Sequence, residues 1–357
     1  MLQRWAWIGT IVLLLAGSLP VAAKENAIAA AHPAAWYASA EARALADTVL
    51  LYQRDAGGWP KNHDMTRPPD PQAFEHTDVG SPTIDNGATY TPIRFLAAVD
   101  AAQDDPRYRV SIQRGLDYLL AAQYGNGGWP QFYPLRPGYY THITFNDDAM
   151  VGVLALLRDV AAGRAPFAWV DAKTRARAGA AVEKGIACIL RCQIVVNGVK
   201  TAWCAQHDEI TFEPVPARAY EHVSLSGNET VGIVRFLMSV DSPSPEIVAA
   251  VQAAVNWLEQ VKLSGIRVER VRAPGLPRGF DRVVTADPHA PPLWARFYEI
   301  GTNRPIFGGR DTTIHYALAE IEPERRTGYN WYGDKPQDLL TRDYPRWAAR
   351  YLPAHEP

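Results

Sequence analysis

The phrase QRDAGGWPKN begins at Gln53, and a near copy, QYGNGGWPQF, begins at Gln123, seventy residues later. Repetition at that period constrains the fold more than any composition does. It means that the chain is built from copies of one supersecondary unit, and such a unit buries its apolar face only by stacking on its neighbours. The match continues upstream. Ile112, Leu116, Leu119 and Leu120 precede Gln123, and Val182, Ile186, Ile189 and Leu190 precede Gln193 at the same offset. Ala42, Ala46, Val49 and Leu50 precede Gln53, and Gly115 and Gly185 also repeat. The spacing i, i+4, i+7, i+8 is one face of an α-helix. Each such helix leads to a turn and a tryptophan: Trp59, Trp129 and, less regularly, Trp203.

A second helix follows in every unit. The three openings read TIDNGATYTPIRFL from Thr83, TFNDDAMVGVLALL from Thr144 and LSGNETVGIVRFL from Leu225. Asp85, Asn146 and Ser226 fall in register there, and all are good N-cap types. The expectation is an all-α fold, an α/α toroid of about three helical hairpins, with long loops and a little β structure at one rim. Loops of that length mark function. AAVQAAVNWLEQ, from Ala249, resembles another first-type helix, but loop-like, basic sequence follows it. SGIRVERVRAPGLPRGFDRVV, from Ser264, alternates enough for a short β-hairpin. No linker divides residues 24–357, so one domain is expected.

Residues 1–23 read as a secretory leader, with Arg4 ahead of an apolar run and VAA before the expected cut. The run is short for a bilayer span and is interrupted by Gly17, Ser18 and Pro20. Export to the periplasm or beyond is therefore expected, with no membrane association. The formal net charge is −2, and removing the leader takes away only Arg4, leaving −3. Bulk charge gives no case for nucleic-acid binding, and a polyanionic substrate would need local neutralisation. Cys188, Cys192 and Cys204, with His207, could imitate a zinc site. In an exported chain one disulfide and a spare thiol is the stronger expectation, pairing Cys204 with Cys188 or Cys192.

Polar and aromatic residues concentrate in GGWPKNHDM, TIDNGAT, THITFNDDAM, PVPARAYEHVSLSGNE and WARFYEIGTNRPIFGGRD. Asp85, Asp147 and Asp148 stand at equivalent helix starts, so a closed ring would bring them to one rim. Capping explains one carboxylate, and pattern alone favours it slightly. Two adjacent carboxylates without His or thiolate also suit a hard cation, calcium before magnesium. Arg218, Arg304 and Arg310 lie in Pro- or Gly-flanked loops, where guanidinium groups form forks for planar carboxylates. Trp59, Trp129, Tyr139, Tyr140, Trp331 and Tyr332 could line a sugar-binding groove, while singly each suits core or rim packing equally well.

Together TIDNGAT, the two GGWP turns, FNDDAM, WCAQHDEITFEPVPARAYE and WARFYEIGTNRPIFGGRD resemble the family 10 polysaccharide lyases, from about Trp36 to Trp347. That resemblance implies the toroid and a calcium-assisted anti β-elimination on polygalacturonate. It implies that Asp85 and Asp147 bind calcium, with Asp148 adjacent, and that Arg218 is the Brønsted base. Arg304 best matches a second arginine, with Arg310 the alternative. Lys61, Asn86, Asp148, Arg310, Trp129 and Tyr332 are the expected substrate contacts, in a protein expected to act as a monomer. Two other functions remain open. A toroidal glycoside hydrolase would draft Asp85 and Asp147, or Glu213, Glu221 and Glu229, as acid and base. A noncatalytic pectin-binding protein would use the same aromatics and arginines.

Overall fold

The computed structural model describes residues 27–70, 72 and 80–352. The expected leader lies outside the described residues. Helices α1 (Ala40–Leu51), α2 (Tyr90–Gln103), α3 (Pro106–Ala122), α4 (Ala149–Ala161), α5 (Ala172–Cys192), α6 (Glu229–Met238) and α7 (Pro245–Gln260) carry the fold. Successive odd-numbered helices touch one another and form one layer, and successive even-numbered helices form the other. Leu339–Asp343 packs against α6 and continues the second layer. This is the α/α toroid expected from the repeats.

Three dimensions settle two features of the repeat. The tightest pairs are α2 with α3, α4 with α5 and α6 with α7, so the hairpin unit begins at the second-type helix. The repeat also has a fourth first-type helix, α7. Its tryptophan is Trp294, separated from it by an inserted β-hairpin, Ile266–Arg272 paired with Phe280–Ala286.

The repeated letters hold neighbouring units together. Gln53 Nε2 donates to its own turn at Gly57 O and to Ser111 O of α3. Gln123 does the same to Gly127 O and Ala181 O of α5, and Gln193 to Thr201 O and Ala250 O of α7. The turns press onto the next helix so closely that only glycine fits. A Cβ on Gly57 would lie 2.3 Å from Arg114 O, and one on Gly127 would lie 2.1 Å from Lys184 O. Both glycines also have φ near +100°, which side chains avoid. The indole N–H groups of Trp59, Trp129, Trp203 and Trp294 donate to Val49, Leu119, Ile189 and Leu258 O. Each ring thus seals the end of the helix before it. Gly115 makes room for Trp59 and Ile93, and Gly185 for Trp129 and Leu154.

Side-chain capping occurs at the first-type helices. Ser39, Asp105, Asp171 and Ser244 accept from first-turn N–H groups of α1, α3, α5 and α7. The second-type helices α2, α4 and α6 have no side-chain bond from their N-cap residue. Cys188, Cys192 and Cys204 are buried free thiols, so the expected disulfide is not formed. The zinc reading fails at His207. Its Nε2 accepts from Cys204 N at 3.1 Å and its Nδ1–H donates to Phe212 O at 2.8 Å, which leaves no lone pair for a metal.

Candidate active site

Short antiparallel contacts tie each second-helix opening to the segment after the next tryptophan. Thr83 bridges Phe132, Ile143–Thr144 pairs with Gln206–His207, and Leu225–Ser226 pairs with Phe297–Tyr298. This brings residues two positions after Trp59, Trp129 and Trp294 to the rim: Lys61, Gln131 and Arg296. There the chain turns sharply. Asn86, Asp147 and Asp148 adopt left-handed backbone, with φ of 51°, 50° and 60°. Such conformations are costly for residues with a Cβ and collect where function demands them.

A cavity of about 150 Å³ opens at this rim. Its walls include Lys61, Asp85, Asn86, Asp147, Arg218 and Glu221, from segments distant in sequence. Asp85 is only 4% exposed and does not cap. It accepts from Lys61 Nζ and, at 2.7 Å, from Gln131 Nε2. Asp147 Oδ1 accepts from Arg296 Nη2 at 3.0 Å and its Oδ2 from Asn146 Nδ2 at 2.7 Å. Tyr90 stands close enough to all three aspartates that burial, together with their charges, raises its hydroxyl to about 12.

Arg218 sits on a turn closed by Ala217 N–H to Glu221 O and Glu221 N–H to Arg218 O. Its Nε and Nη2 donate to the two Glu221 carboxylate oxygens, at 2.8 and 2.5 Å. The guanidinium carbon lies 4.9 Å from the Tyr220 ring centroid and 5.9 Å from that of Tyr329. Tyr329 also donates its hydroxyl to Glu221. Burial works against the charge on Arg218, but Glu221 outweighs it and holds the group above the ordinary arginine range. The fork is therefore fixed and cationic.

Arg296 is the site residue that sequence reasoning passed over. It is only 8% exposed, and its Nη2 donates to Glu229 Oε1 at 2.6 Å, to Asp147 at 3.0 Å and to Asn146 at 3.2 Å. Its buried Nε–H has no protein partner. The available signal was its offset from Trp294, the same as Lys61 from Trp59.

The other expected residues are distributed differently. Arg304 does not line the cavity; its guanidinium carbon lies 3.6 Å from the Tyr316 ring centroid. Arg310 is exposed and paired with Glu324. Trp129 is 0% exposed, so it is core and not a groove residue, and Trp59 and Trp331 are buried likewise. Tyr332 is half-buried and lines a neighbouring cavity with Arg296, Asn330 and Lys335. Asp148 Oδ2 lies 3.7 Å from Lys335 Nζ, while its buried Oδ1 has no partner. Burial raises its carboxyl, with Lys335 opposing. Among the described residues a second acidic group, His142, Asp208 and Glu209, gathers elsewhere. Its members are engaged: His142 bonds Glu209, and Asp208 accepts the Ile210 and Thr211 N–H groups.

The sequence model of the family described as pectic acid lyase matches residues 53–340. This chain belongs to the pectic acid lyase family. Its members' activity makes it a lyase of the pectate-lyase type. Two solved structures of a family 10 polysaccharide lyase from Cellvibrio cellulosa are similar to it. One, a point variant in complex with trigalacturonic acid, is 35% identical, with a TM-score of 0.75 and coverage of 94% of this chain and 99% of that one. The other is 37% identical, with a TM-score of 0.75 and coverage of 89% and 96%. Comparison with curated proteins finds no match.

Proposed function

We propose that this pectic acid lyase cleaves de-esterified polygalacturonate by calcium-assisted anti β-elimination, giving 4,5-unsaturated oligogalacturonides. The observation that carries the reading is the convergence of Arg218 with Asp85 and Asp147 on one cavity. The trigalacturonic acid in the similar structure supports the substrate class. Export by residues 1–23 and action as a monomer belong to the same proposal.

Calcium fits the residues present. Asp85 and Asp147 contribute carboxylates, and the buried amide oxygens of Gln131 and Gln206 face no protein donor. An all-oxygen set suits a hard cation. Lys61, Arg218 and Arg296 meet Asp85, Asp147, Glu221 and Glu229, so the site holds more carboxylates than cations before a uronate arrives. Once bound, calcium supplies Lewis-acid neutralisation of the substrate carboxylate, which acidifies the C5 proton.

The chain's own residues supply the rest. Arg296, which lines the adjoining cavity and is bonded to Asp147, supplies positive charge beside an incoming uronate carboxylate. Arg218, held in place by Glu221 and the two tyrosines, takes the C5 proton. The C5–H electrons form the C4–C5 double bond, and the C4–oxygen bond breaks with its pair on the leaving sugar. Free guanidinium groups keep their proton to roughly pH 12 or above, and Glu221 strengthens that hold. The base is thus a minority neutral form, made more accessible when positive charge enters the cavity. A hydrolase would need a protonated carboxyl across the scissile bond. Asp85 and Asp147 are instead each tied to a cation, Lys61 and Arg296, in the cavity walls shared with Arg218. The test is ultraviolet absorbance of the products from polygalacturonate, with calcium and then with chelator. Absorbance that grows only with the ion supports the proposal, and cleavage without absorbance rejects it.

A further inference from the structure

The inserted β-hairpin carries more arginine than its fold requires. Arg270, Arg272 and Arg278 are exposed, and Arg282 is half-buried. Among the described residues no carboxylate lies within 4.0 Å of any of these four guanidinium groups. Their neighbours differ: Arg267 pairs with Glu269 and Asp287, and Arg326 pairs with Asp281. Arg270 stands directly opposite Arg282 in the antiparallel register, and Arg272 opposite Phe280. Like charges facing across a strand pair destabilise it; the Phe280 ring, its centroid 3.7 Å from the Arg270 guanidinium carbon, relieves part of that cost, but it brings no negative charge. Burial and the nearby Arg278 and Arg270 pull Arg282 below the ordinary arginine range, as expected for crowded cations.

The basic surface leads to the active site. Arg282 Nη1 donates to Tyr329 O at 2.8 Å, and its guanidinium reaches Asn330 Oδ1 at 3.4 Å. The Tyr329 ring lies beside both Arg218 and Arg296. Asn330 joins Tyr332 and Arg296 in lining a cavity of about 300 Å³. A chain of carboxylates that leaves the central cavity on this side would therefore meet a row of guanidinium groups that have no carboxylate partner among the described residues.

We propose that the Ile266–Ala286 hairpin is a docking surface for the distal part of a polyuronate chain whose reacting residue lies in the central cavity. The inference rests on the polyuronate reading above. Exposed charges of this kind act mainly on encounter and on salt-sensitive affinity, and leave the chemical step alone. The chain's slightly acidic net charge, −2 overall, favours a polyuronate held partly by the cavity over a nucleic acid held by bulk charge.

The test is Arg270→Gln/Arg272→Gln/Arg278→Gln, which spares Arg282 and its bonds to the site, with unchanged melting as the check on folding. At low salt, KM for long polygalacturonate should rise about five- to tenfold, the combined effect of three weak exposed pairs. Its kcat, and both parameters for trigalacturonate, should stay unchanged, and added salt should erase the difference from wild type. An unchanged polymer KM, or an equal loss on trigalacturonate, would overturn the proposal. Gel retardation by immobilised polygalacturonate separates this from the catalytic reading. If wild type forms no unsaturated product, loss of retardation in the variant still supports the surface. Retardation by DNA, with none by polygalacturonate, overturns it.

Discussion

Gly232 of α6 faces the Asp148 carboxylate so closely that a Cβ added there would lie 2.0 Å from Oδ1. In an exposed helix, glycine to alanine would stabilise by about 1 kcal/mol. Here the methyl group would collide with a carboxylate whose left-handed turn fixes its position. Gly232→Ala should therefore destabilise by about 1–3 kcal/mol, the usual cost of overpacking. Asp148→Gly, tolerated by the positive φ, should relieve most of that loss in the double variant. Thermal melting of the four proteins checks it; additive losses would mean that the two positions do not meet.

A second expectation concerns Arg218. Arg218→Ala should reduce elimination by at least about a hundredfold, the scale of losing one preorganised group, and should also cost about 1–3 kcal/mol of stability, because it leaves the buried Glu221 carboxylate without its fork. Arg218→Lys should recover little, although lysine is the easier base, because an ammonium cannot hold the bidentate geometry on Glu221. If a neutral guanidine takes the C5 proton, wild-type kcat should climb with pH throughout the stable alkaline range. A plateau near neutrality would assign the proton to another group.

The toroid was legible because its determinants are local and repeated. Gln53, Gln123 and Gln193 each bond one turn and one neighbouring helix, so their spacing carried the stacking directly. Trp129 was misplaced for the same reason: a motif tryptophan signals sealing of a helix end as readily as contact with sugar. Arg296 was missed because the hairpin insertion hid its tryptophan from the seventy-residue period. Arg304 and Arg310 share its loop-rich segment, and sequence cannot tell which arginine a chain reversal turns inward. The pairing of Lys61 with Asp85, and of Arg218 with Glu221, depends on how the long loops fold back at the rim.

His207 sets an acid limit to stability. It is 0% exposed, and burial lowers its pKa to about 4, with both ring nitrogens committed to the neutral tautomer. In the unfolded chain it titrates near its ordinary value of about 6.5. The folded pKa is the lower one, so the unfolded state gains the proton first as pH falls. Stability should drop by up to about 3 kcal/mol between roughly pH 6.5 and 4, and flatten below that window. Denaturant titrations across this range measure it. His207→Gln should be less stable at neutral pH and show a shallower acid slope; an unchanged slope would place the acid sensitivity in the carboxylates.

Asp85 and Asp147 separate a structural from a chemical role. Neither caps a helix, so the tolerance expected of Asn at an N-cap does not apply. Asp85→Asn leaves Lys61 beside a neutral amide, which should cost about 1–3 kcal/mol of stability. Asp147 is more exposed, at 37% of its side chain, and Glu229 still holds Arg296, so Asp147→Asn should cost less. If the two carboxylates hold calcium against a uronate, both variants should lose activity by about a hundredfold or more. Raising calcium should recover part of that loss, because a weaker site is filled by mass action. Activity against calcium concentration for wild type and both variants is the measurement. Calcium dependence unchanged in both would leave Asp85 and Asp147 as partners of Lys61 and Arg296 alone.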